Sequence, residues 1–434
     1  MVRALYSLLM RLALPFLRRK LARRGVAEPG YLHAVDERFG RYALPADSGR
    51  LWIHAVSLGE TRAAAVLLAR LRVQQPGLRL LLTHGTATGR AEGQRLLHEG
   101  DLQAWLPWDT PGAVQRFLDQ FQPRIGILME TEVWPNLAAA CRARGLPLVL
   151  ANARLGDKSL RNALALAPLS RPAYTALAAA WAQTEADAQR LRQLGAPVQG
   201  VFGNLKFDAT PDAAQLAQGR AWRSAAGRPV VVFASSREGE EAAFFQLLKQ
   251  KMAGVQTGRP SGAMETGANA VQWLVVPRHP QRFDEVAALA QQHGLSVSRR
   301  SSWAAGPPAA GEAGQADVWL GDSLGEMALY YGLSDVALLG GSFEPLGGQN
   351  LIEAAACGCP VITGPHTFNF AEAAELAEDA GAALRVQGMA QALELALQLA
   401  SGEGHARAVQ AAADFAQAHR GAARQTAAAI AAFL

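Results

Sequence analysis

Cysteine is scarce in this chain of 434 residues: Cys141, Cys357 and Cys359 are the only three, too few for a disulfide framework. Cys357 and Cys359 have no partner pair at metal-ligand spacing, and no His/Asp cluster stands elsewhere, so no metal site is expected. A thiol-poor chain of this kind suits a compartment facing the cytosol. Long hydrophobic runs are missing too. The apolar segment from Leu5 to Leu17 is broken by Arg11 and Pro15 and falls short of the roughly 20 residues that cross a bilayer. No small-residue cleavage site follows it, so a removed signal peptide is not expected. Only 18% of residues are charged while 50% are hydrophobic, which excludes a disordered chain.

Most of the chain also lacks an excess of positive charge, despite a net charge of +5. Seven of the 42 bases (Arg3, Arg11, Arg18, Arg19, Lys20, Arg23 and Arg24) fall within Met1 to Gly25, where there is no acid, so the other 35 face 37 acids. A nucleic-acid groove would spread its bases over the folded body, so no nucleic-acid partner is expected. The same segment carries Leu5, Tyr6, Leu8, Leu9, Met10, Leu12, Leu14, Phe16 and Leu17. Residues 1–25 therefore read as a basic, apolar helix lying on an anionic membrane surface, in preference to a helix packed on the protein.

Strands alternating with helices make up the rest. At this length one core does not suffice, and two domains of about 200 residues are expected. In the first half, Arg50 to Val56, Leu78 to Thr83, Ile125 to Met129, Leu146 to Ala151 and Trp181 to Gln183 read as strands separated by helical stretches. A helical, proline-marked link over 208–228 precedes a second set: Pro229 to Ala234, Trp273 to Val276, Ser296 to Arg299, Asp317 to Leu320, Val336 to Leu339 and Pro360 to Thr363. This alternation implies parallel sheets with ligands at the carboxyl ends of the strands, where Glu60, Glu130, Asn152 and Arg154 fall. The spans 254–270 and 304–316, rich in Gly, Ala and Pro, read as mobile surface loops, and the alanine-rich stretch from Met389 to Leu434 as helical. The fold class is α/β, with two facing Rossmann-like domains.

Gly340 to Asn369 is the stretch with the plainest ligand chemistry. A strand end leads through Gly347-Gly348 into a short helix carrying Glu353, then a buried strand and a second turn at Gly364-Pro365. Glycines before a helix admit close approach to the backbone, and the first-turn N–H groups favour an anion. A phosphate or sugar site and an ordinary strand–turn–helix remain equally open from this stretch alone.

Eight motifs occur in order across nearly the whole chain: SLGE at 57–60, METEVWPN at 129–136, ANARL at 151–155, GNLKFD at 203–208, EGEE at 238–241, VPRHPQRF at 276–283, GDSLGE at 321–326 and GPHTFNF at 364–370. Together they resemble the 3-deoxy-D-manno-octulosonic acid (Kdo) transferases, inverting glycosyltransferases of the two-Rossmann GT-B type that build the inner core of lipopolysaccharide. The resemblance implies transfer of Kdo from CMP-Kdo to the lipid A precursor, lipid IVA, on the cytoplasmic side of the inner membrane. Residues 26–207 would form the acceptor domain and 229–410 the CMP-Kdo donor domain. Residues 411–434 would be a C-terminal helix, free to pack back on the N-terminal domain.

The resemblance also assigns residues. Glu60 matches the family's proposed base, and Glu130 and Lys206 match positions that support the transition state. CMP-Kdo would be held at Pro277, Arg278, Leu324, Gly325, Glu326, Asn350, Leu351, Ile352 and Glu353, with Ser236, Arg237, Gly348 and Gln349 as further candidate contacts. A one-step inversion needs a single carboxylate, and the one phosphate of CMP can be met by Arg278, Lys206 and helix N-termini, so no metal or other cofactor is expected. Outside this context Glu60 is a helix N-terminal acid, Arg278 a surface ion pair and Lys206 a linker charge. Two positions depart from the family: Gln349 and Arg237 stand where members commonly carry His. Arg38, Arg41 and Arg62 are candidate partners for acceptor phosphates. A transferase using a UDP-sugar, a nucleotide-sugar epimerase and a non-catalytic membrane-bound module are the alternatives.

Overall fold

The central strands are continuous apolar runs, not alternating ones, because both faces of each sheet are covered by helices. The computed structural model describes residues 1–208, 210–255, 270–303, 306–307 and 316–434. It divides into two units, Met1–Asp208 with His419–Leu434, and Ala209–Ala418.

In the first unit, β1 (Leu51–His54), β2 (Leu80–His84), β3 (Leu102–Trp105), β4 (Ile125–Met129), β5 (Leu148–Ala153), β6 (Ala179–Ala182) and β7 (Val198–Val201) form one parallel sheet in the order β3-β2-β1-β4-β5-β6-β7. The second unit repeats the plan. Here β8 (Val230–Ser236), β9 (Gln272–Pro277), β10 (Val297–Arg299), β11 (Val318–Leu320), β12 (Val336–Leu339), β13 (Val361–Thr363) and β14 (Ala383–Arg385) run in the order β10-β11-β9-β8-β12-β13-β14, again all parallel. Strand order reverses between β1 and β4 in one sheet and between β8 and β12 in the other. A doubly wound sheet opens a crevice at each such point.

Three strands were not read from the sequence: β3, β7 and β14, which all lie at sheet edges. β7 alternates between half-buried and exposed, as an edge strand does, and its short polar sequence VQGV carries little strand signal. The stretch 210–228 is largely helical. Its helix Ala213–Ala225, capped by Asp212, belongs to the second unit, and a Cβ on Gly219 would come within 2.2 Å of the Leu329 carbonyl. The alanine-rich end is helical as three helices, Met389–Ser401, His405–Ala418 and Ala422–Ala431, so the single C-terminal helix expected over 411–434 is divided at residues 419–421. The first two sit in the second unit, while the last buries Ala423, Ala427 and Ile430 against Leu67, Leu68 and Leu71 in the first. Asp208 accepts the N–H groups of Gly421 and Ala423, both at 2.5 Å, and so caps that helix. The loops expected over 254–270 and 304–316 fall for the most part outside the described residues.

The N-terminal helix, Val2–Ala27, has two apolar stripes. One faces the first unit and buries Ser7, Leu21 and Gly25. Tyr6 donates to Asp109 (3.0 Å) and Ser7 to Asn136 (3.0 Å), at the start of the helix Pro135–Ala143. The other stripe, Leu5, Leu8, Leu9, Leu12 and Phe16 at helical spacing, is 52% to 76% exposed. The helix thus does pack on the protein, along one face, and leaves an apolar face uncovered. Among the described residues no helix is long and apolar enough to cross a membrane.

Asp208→Ala removes both cap bonds of the last helix. It is expected to cost about 1 kcal/mol, read as a fall in the chemical-denaturation midpoint, and to expose residues 419–434 to limited proteolysis.

Candidate active site

In the first unit the crevice is framed by the segments leaving β1 and β4. After β1 the chain turns at Val56-Ser57 into the helix Leu58–Gln74, with Ser57 as N-cap accepting the Glu60 N–H. The Glu60 carboxylate folds back to accept the Val56 N–H at 2.6 Å and the Ser57 hydroxyl at 3.2 Å. Val56 is itself fixed, since its carbonyl accepts from the Gly85 N–H (3.1 Å), the Thr86 N–H (2.9 Å) and the Thr86 hydroxyl (2.9 Å). Burial pushes the Glu60 carboxyl up from its usual 4.5 to about 7, aided by the negative charges of Glu130 and Glu132 and opposed by the Val56 hydrogen bond. A half-buried acid that ionises near neutrality at a strand end is suited to taking up a proton.

After β4 the backbone of Glu130 enters the left-handed region, at φ 60°, and so does Asn152 near the end of β5, at φ 53°, where the register with β6 shifts. Such conformations are costly for residues other than glycine and persist where the surroundings hold them. Here the Glu130 N–H donates to the Ala151 carbonyl (3.0 Å) and the Arg154 N–H to the Glu130 carbonyl (3.3 Å). Asn152 accepts the Leu205 N–H at 2.9 Å, anchoring the turn that carries Lys206. Lys206 Nζ then reaches Glu130 at 3.6 Å. The first unit therefore brings Glu60, Glu130 and Lys206 to one crevice, with Asn152 as the post for the last of them.

Glu132 belongs to the same crevice and was not read from the sequence, although it stands in the METEVWPN motif. Burial raises its carboxyl, a hydrogen bond from Trp134 lowers it, and its charge bears on Glu60. Arg38 is corrected as a surface partner for phosphate. It is 4% exposed, lies 3.9 Å from the Trp105 ring and donates to the Gly85 carbonyl at 2.9 Å, and burial pushes it down to about 10. It supports the loop that holds Val56. Arg62 pairs with Glu92 at 3.4 Å, and Arg41 is exposed.

In the second unit the crevice lies at the ends of β8, β9 and β12. Gly340 approaches the Ser235 carbonyl so closely that a Cβ would stand 2.2 Å from it, and Ser235 is left-handed at φ 56°. Glu240, 1% exposed, clamps the two sides: its carboxylate accepts the N–H groups of Arg237 (2.9 Å), Gly341 (2.8 Å) and Phe343 (3.0 Å). EGEE contains this residue, yet a buried clamp looks like any helix-capping acid in sequence. Arg278, at the end of β9, donates from Nε to Gln349 Oε1 at 3.2 Å. Gly348 donates its N–H to the Gly341 carbonyl at 2.7 Å, and Gly347 and Gly348 both have positive φ, at 91° and 76°.

Asn350 caps the short helix Leu351–Ala356 by accepting the Ile352 N–H (3.1 Å) and donates to Glu353 (3.1 Å). Leu351 and Ile352 are each 1% exposed, so only their backbone can meet a ligand. Pro277 ends β9; after β11, Leu324 is exposed, Gly325 is left-handed, and Glu326 pairs with Arg300 at 3.0 Å. Ser236 is corrected as a side-chain contact: it is fully buried and its hydroxyl donates to Glu241 (3.0 Å), which also pairs with Arg282 (2.8 Å). Arg237 sits at the crevice with Nε on Glu238 at 2.9 Å. Among the described residues no three His, Cys, Asp or Glu side chains gather as a metal cage.

A family model described as 3-deoxy-D-manno-octulosonic-acid transferase (kdotransferase) matches residues 33–209. The chain is 47% identical over 440 residues to the 3-deoxy-D-manno-octulosonic acid transferase of Bordetella pertussis, covering 98% of each. Among solved structures it resembles a glycosyltransferase from Rickettsia africae, with a TM-score of 0.53 and 12% identity over 87% of this chain and 97% of that one. It resembles UDP-GlcNAc 2-epimerase from Neisseria meningitidis almost equally, with a TM-score of 0.52 and 15% identity over 84% and 94%. The two-domain fold is thus common to transferases and epimerases, and the sequence relationship separates them.

Glu60→Gln keeps an acceptor for the Val56 N–H and removes the charge. Between pH 4.5 and about 7 the folded protein holds a proton on Glu60 that the unfolded chain has released. Stability therefore falls as pH rises through that window, and above it the buried charge costs on the order of 3 kcal/mol. The variant should be more stable than the native protein at pH 8 and indistinguishable from it at pH 4.5, as read by urea denaturation at both pH values.

Proposed function

The chain belongs to the Kdo transferase family, glycosyltransferases of lipopolysaccharide core synthesis, and from this premise we propose that it transfers Kdo from CMP-Kdo to the lipid A precursor, lipid IVA, with inversion at the anomeric carbon. The observation that carries the mechanism is the Glu60 carboxyl, held by Val56 and Ser57 at a crevice of the first sheet and raised to about 7. An acceptor hydroxyl there gives its proton to Glu60 as its oxygen bonds to the anomeric carbon. The bond from that carbon to the CMP phosphate oxygen breaks in the same displacement, and CMP leaves with the electron pair. One carboxylate serves a single displacement, so the acids beside Glu60 have other tasks. Glu130 and Glu132 keep its proton affinity high, and Lys206, on Glu130 at 3.6 Å, holds the local charge in balance.

The second unit receives the nucleotide. Arg278 is the cation for the CMP phosphate, with Gln349 orienting its guanidinium through the 3.2 Å hydrogen bond. Gln349 supplies an acceptor but cannot ionise, so the orientation does not vary with pH at this position. The left-handed turn at Gly347-Gly348, pinned by the Gly348 N–H on the Gly341 carbonyl, sets the entry to Asn350, and Glu353 beside Asn350 suits a ribose diol.

The proposed place of work is the cytoplasmic face of the inner membrane. The helix Val2–Ala27 supports this: its outward stripe of Leu5, Leu8, Leu9, Leu12 and Phe16 is exposed, and the segment is basic without an acid. Such a helix rests in the headgroup region without spanning it.

Incubation of the purified protein with CMP-Kdo and tetraacylated lipid A precursor should yield Kdo-bearing product by mass spectrometry. Its kcat/KM should rise with pH to a plateau above about 7, and Glu60→Gln should lower it by at least about 100-fold. Release of free sugar without acceptor would favour an epimerase, and turnover only with UDP-sugars would overturn the donor. Arg278→Gln should raise the KM for CMP-Kdo about 10- to 100-fold, the worth of a charge-assisted hydrogen bond. Replacing Leu5, Leu9, Leu12 and Phe16 together by Ser should reduce activity on acceptor in vesicles and spare activity on detergent-dispersed acceptor; equal losses would argue against membrane docking.

A further inference from the structure

The first unit has two cavities that the transfer reaction does not use. One, of about 500 Å³, lies between the N-terminal helix and the helix Pro135–Ala143, with Arg3, Leu8, Arg11, Asn136, Ala139 and Ala143 in its walls. The other, of about 320 Å³, runs on the far side of Arg3, walled by Arg142, Leu169, Pro172 and again Ala139 and Ala143. Both volumes fall in the range of small-molecule sites, roughly 300–1,000 Å³. Because the two cavities share Arg3, Ala139 and Ala143, they adjoin, with one arginine common to both.

The chemistry of the walls points to one class of occupant. The second cavity is walled mainly by alanine, proline and leucine, the first by alanine, proline and leucine with Ser7, Gln115 and Asn136 among them; the charged side chains are Arg3 and Arg11 at the first and Arg3 and Arg142 at the second, with no acid lining either. The first-turn N–H groups of Asn136 and Leu137 are already taken by Asp109 (2.9 and 2.8 Å), so the helix N-terminus offers an anion nothing, and the positive charge on offer is that of the arginines. Leu8 joins two features: it lines the first cavity and, 52% exposed, belongs to the outward stripe of the N-terminal helix. The cavity is therefore continuous with the apolar face that the proposed function lays on the bilayer.

We propose that these cavities hold one two-chain anionic phospholipid of the bilayer, an acyl chain in each and the phosphate on Arg3, flanked by Arg11 and Arg142. The site rests on the membrane reading of the N-terminal helix and deepens it. A lipid seated there fills the gap between that helix and the helix that follows Glu130–Trp134, and so fixes the protein's height on the membrane. Apolar burial holds the chains, and the arginines select the headgroup.

The test uses the full-length protein in detergent, supplied with equal palmitoyl-oleoyl phosphatidylglycerol and phosphatidylcholine and read by native mass spectrometry. Retention of one phosphatidylglycerol per chain, in excess over phosphatidylcholine, is expected. Ala139→Trp with Ala143→Trp, which fills the shared wall, should lower retention about tenfold. Arg3→Gln, a substitution at an exposed side chain, should abolish the preference between headgroups while leaving transfer to detergent-dispersed acceptor within about twofold of native. Flotation with phosphatidylglycerol vesicles separates this site from the reading beneath it. Native protein that does not float overturns membrane docking and the lipid site together. Native protein that floats but retains no phosphatidylglycerol, or an Arg3→Gln variant that retains and selects it as the native protein does, overturns the lipid site alone.

Discussion

The hydrogen bond from the Val56 N–H to the Glu60 carboxylate, 2.6 Å long, is the contact on which the candidate site depends. Burial favours the protonated acid, and this bond favours the ionised one, so the balance falls near neutrality. Loss of the bond would raise the carboxyl further, and loss of the burial would lower it toward an ordinary surface acid, which holds a proton too weakly to act as a base. Much of the surrounding structure keeps that one N–H in place. Three donors converge on the Val56 carbonyl, two of them from Thr86, and Arg38 supports the same loop at Gly85 from its bed on Trp105.

The second unit solves a related problem with a different clamp. Its crevice needs the chain leaving β12 to run beside the chain leaving β8, and Gly340 permits the approach while Glu240 holds it. A buried carboxylate with three backbone N–H partners is a stable way to join two loops, because each orphan donor of a strand end finds an acceptor. Three of the left-handed non-glycine residues, Glu130, Asn152 and Ser235, sit at or just past the carboxyl end of a strand, as expected if the surroundings hold a binding geometry that the local backbone resists.

What could be read from the sequence follows the same physics. Core strands such as VVVFA and LVLAN announce themselves because burial on both faces selects unbroken apolar runs, whereas β3, β7 and β14 are short edges whose composition resembles a loop. Glu60 and Glu130 stand out by motif and by position at strand ends, Lys206 by the family resemblance alone, and the fold sets Lys206 3.6 Å from Glu130 and Glu130 within the electrostatic reach of Glu60. Arg38 and Ser236 were misread because burial is a tertiary property: an arginine on a tryptophan and a serine bonded to Glu241 look, in sequence, like exposed polar residues. The double-striped N-terminal helix shows the same limit, since its apolar residues are visible but which stripe faces the protein is decided by Tyr6 and Ser7.

The most direct test of the central claim is a titration of the Glu60 carboxyl itself, by infrared difference spectroscopy of isotope-labelled glutamate, with Glu60→Gln subtracted. The account predicts a carboxyl band that converts to carboxylate with a midpoint near pH 7 and is absent from the variant. A carboxylate already fully ionised at pH 5.5 would contradict it, leaving Glu60 as a helix-capping acid and the base to be sought elsewhere.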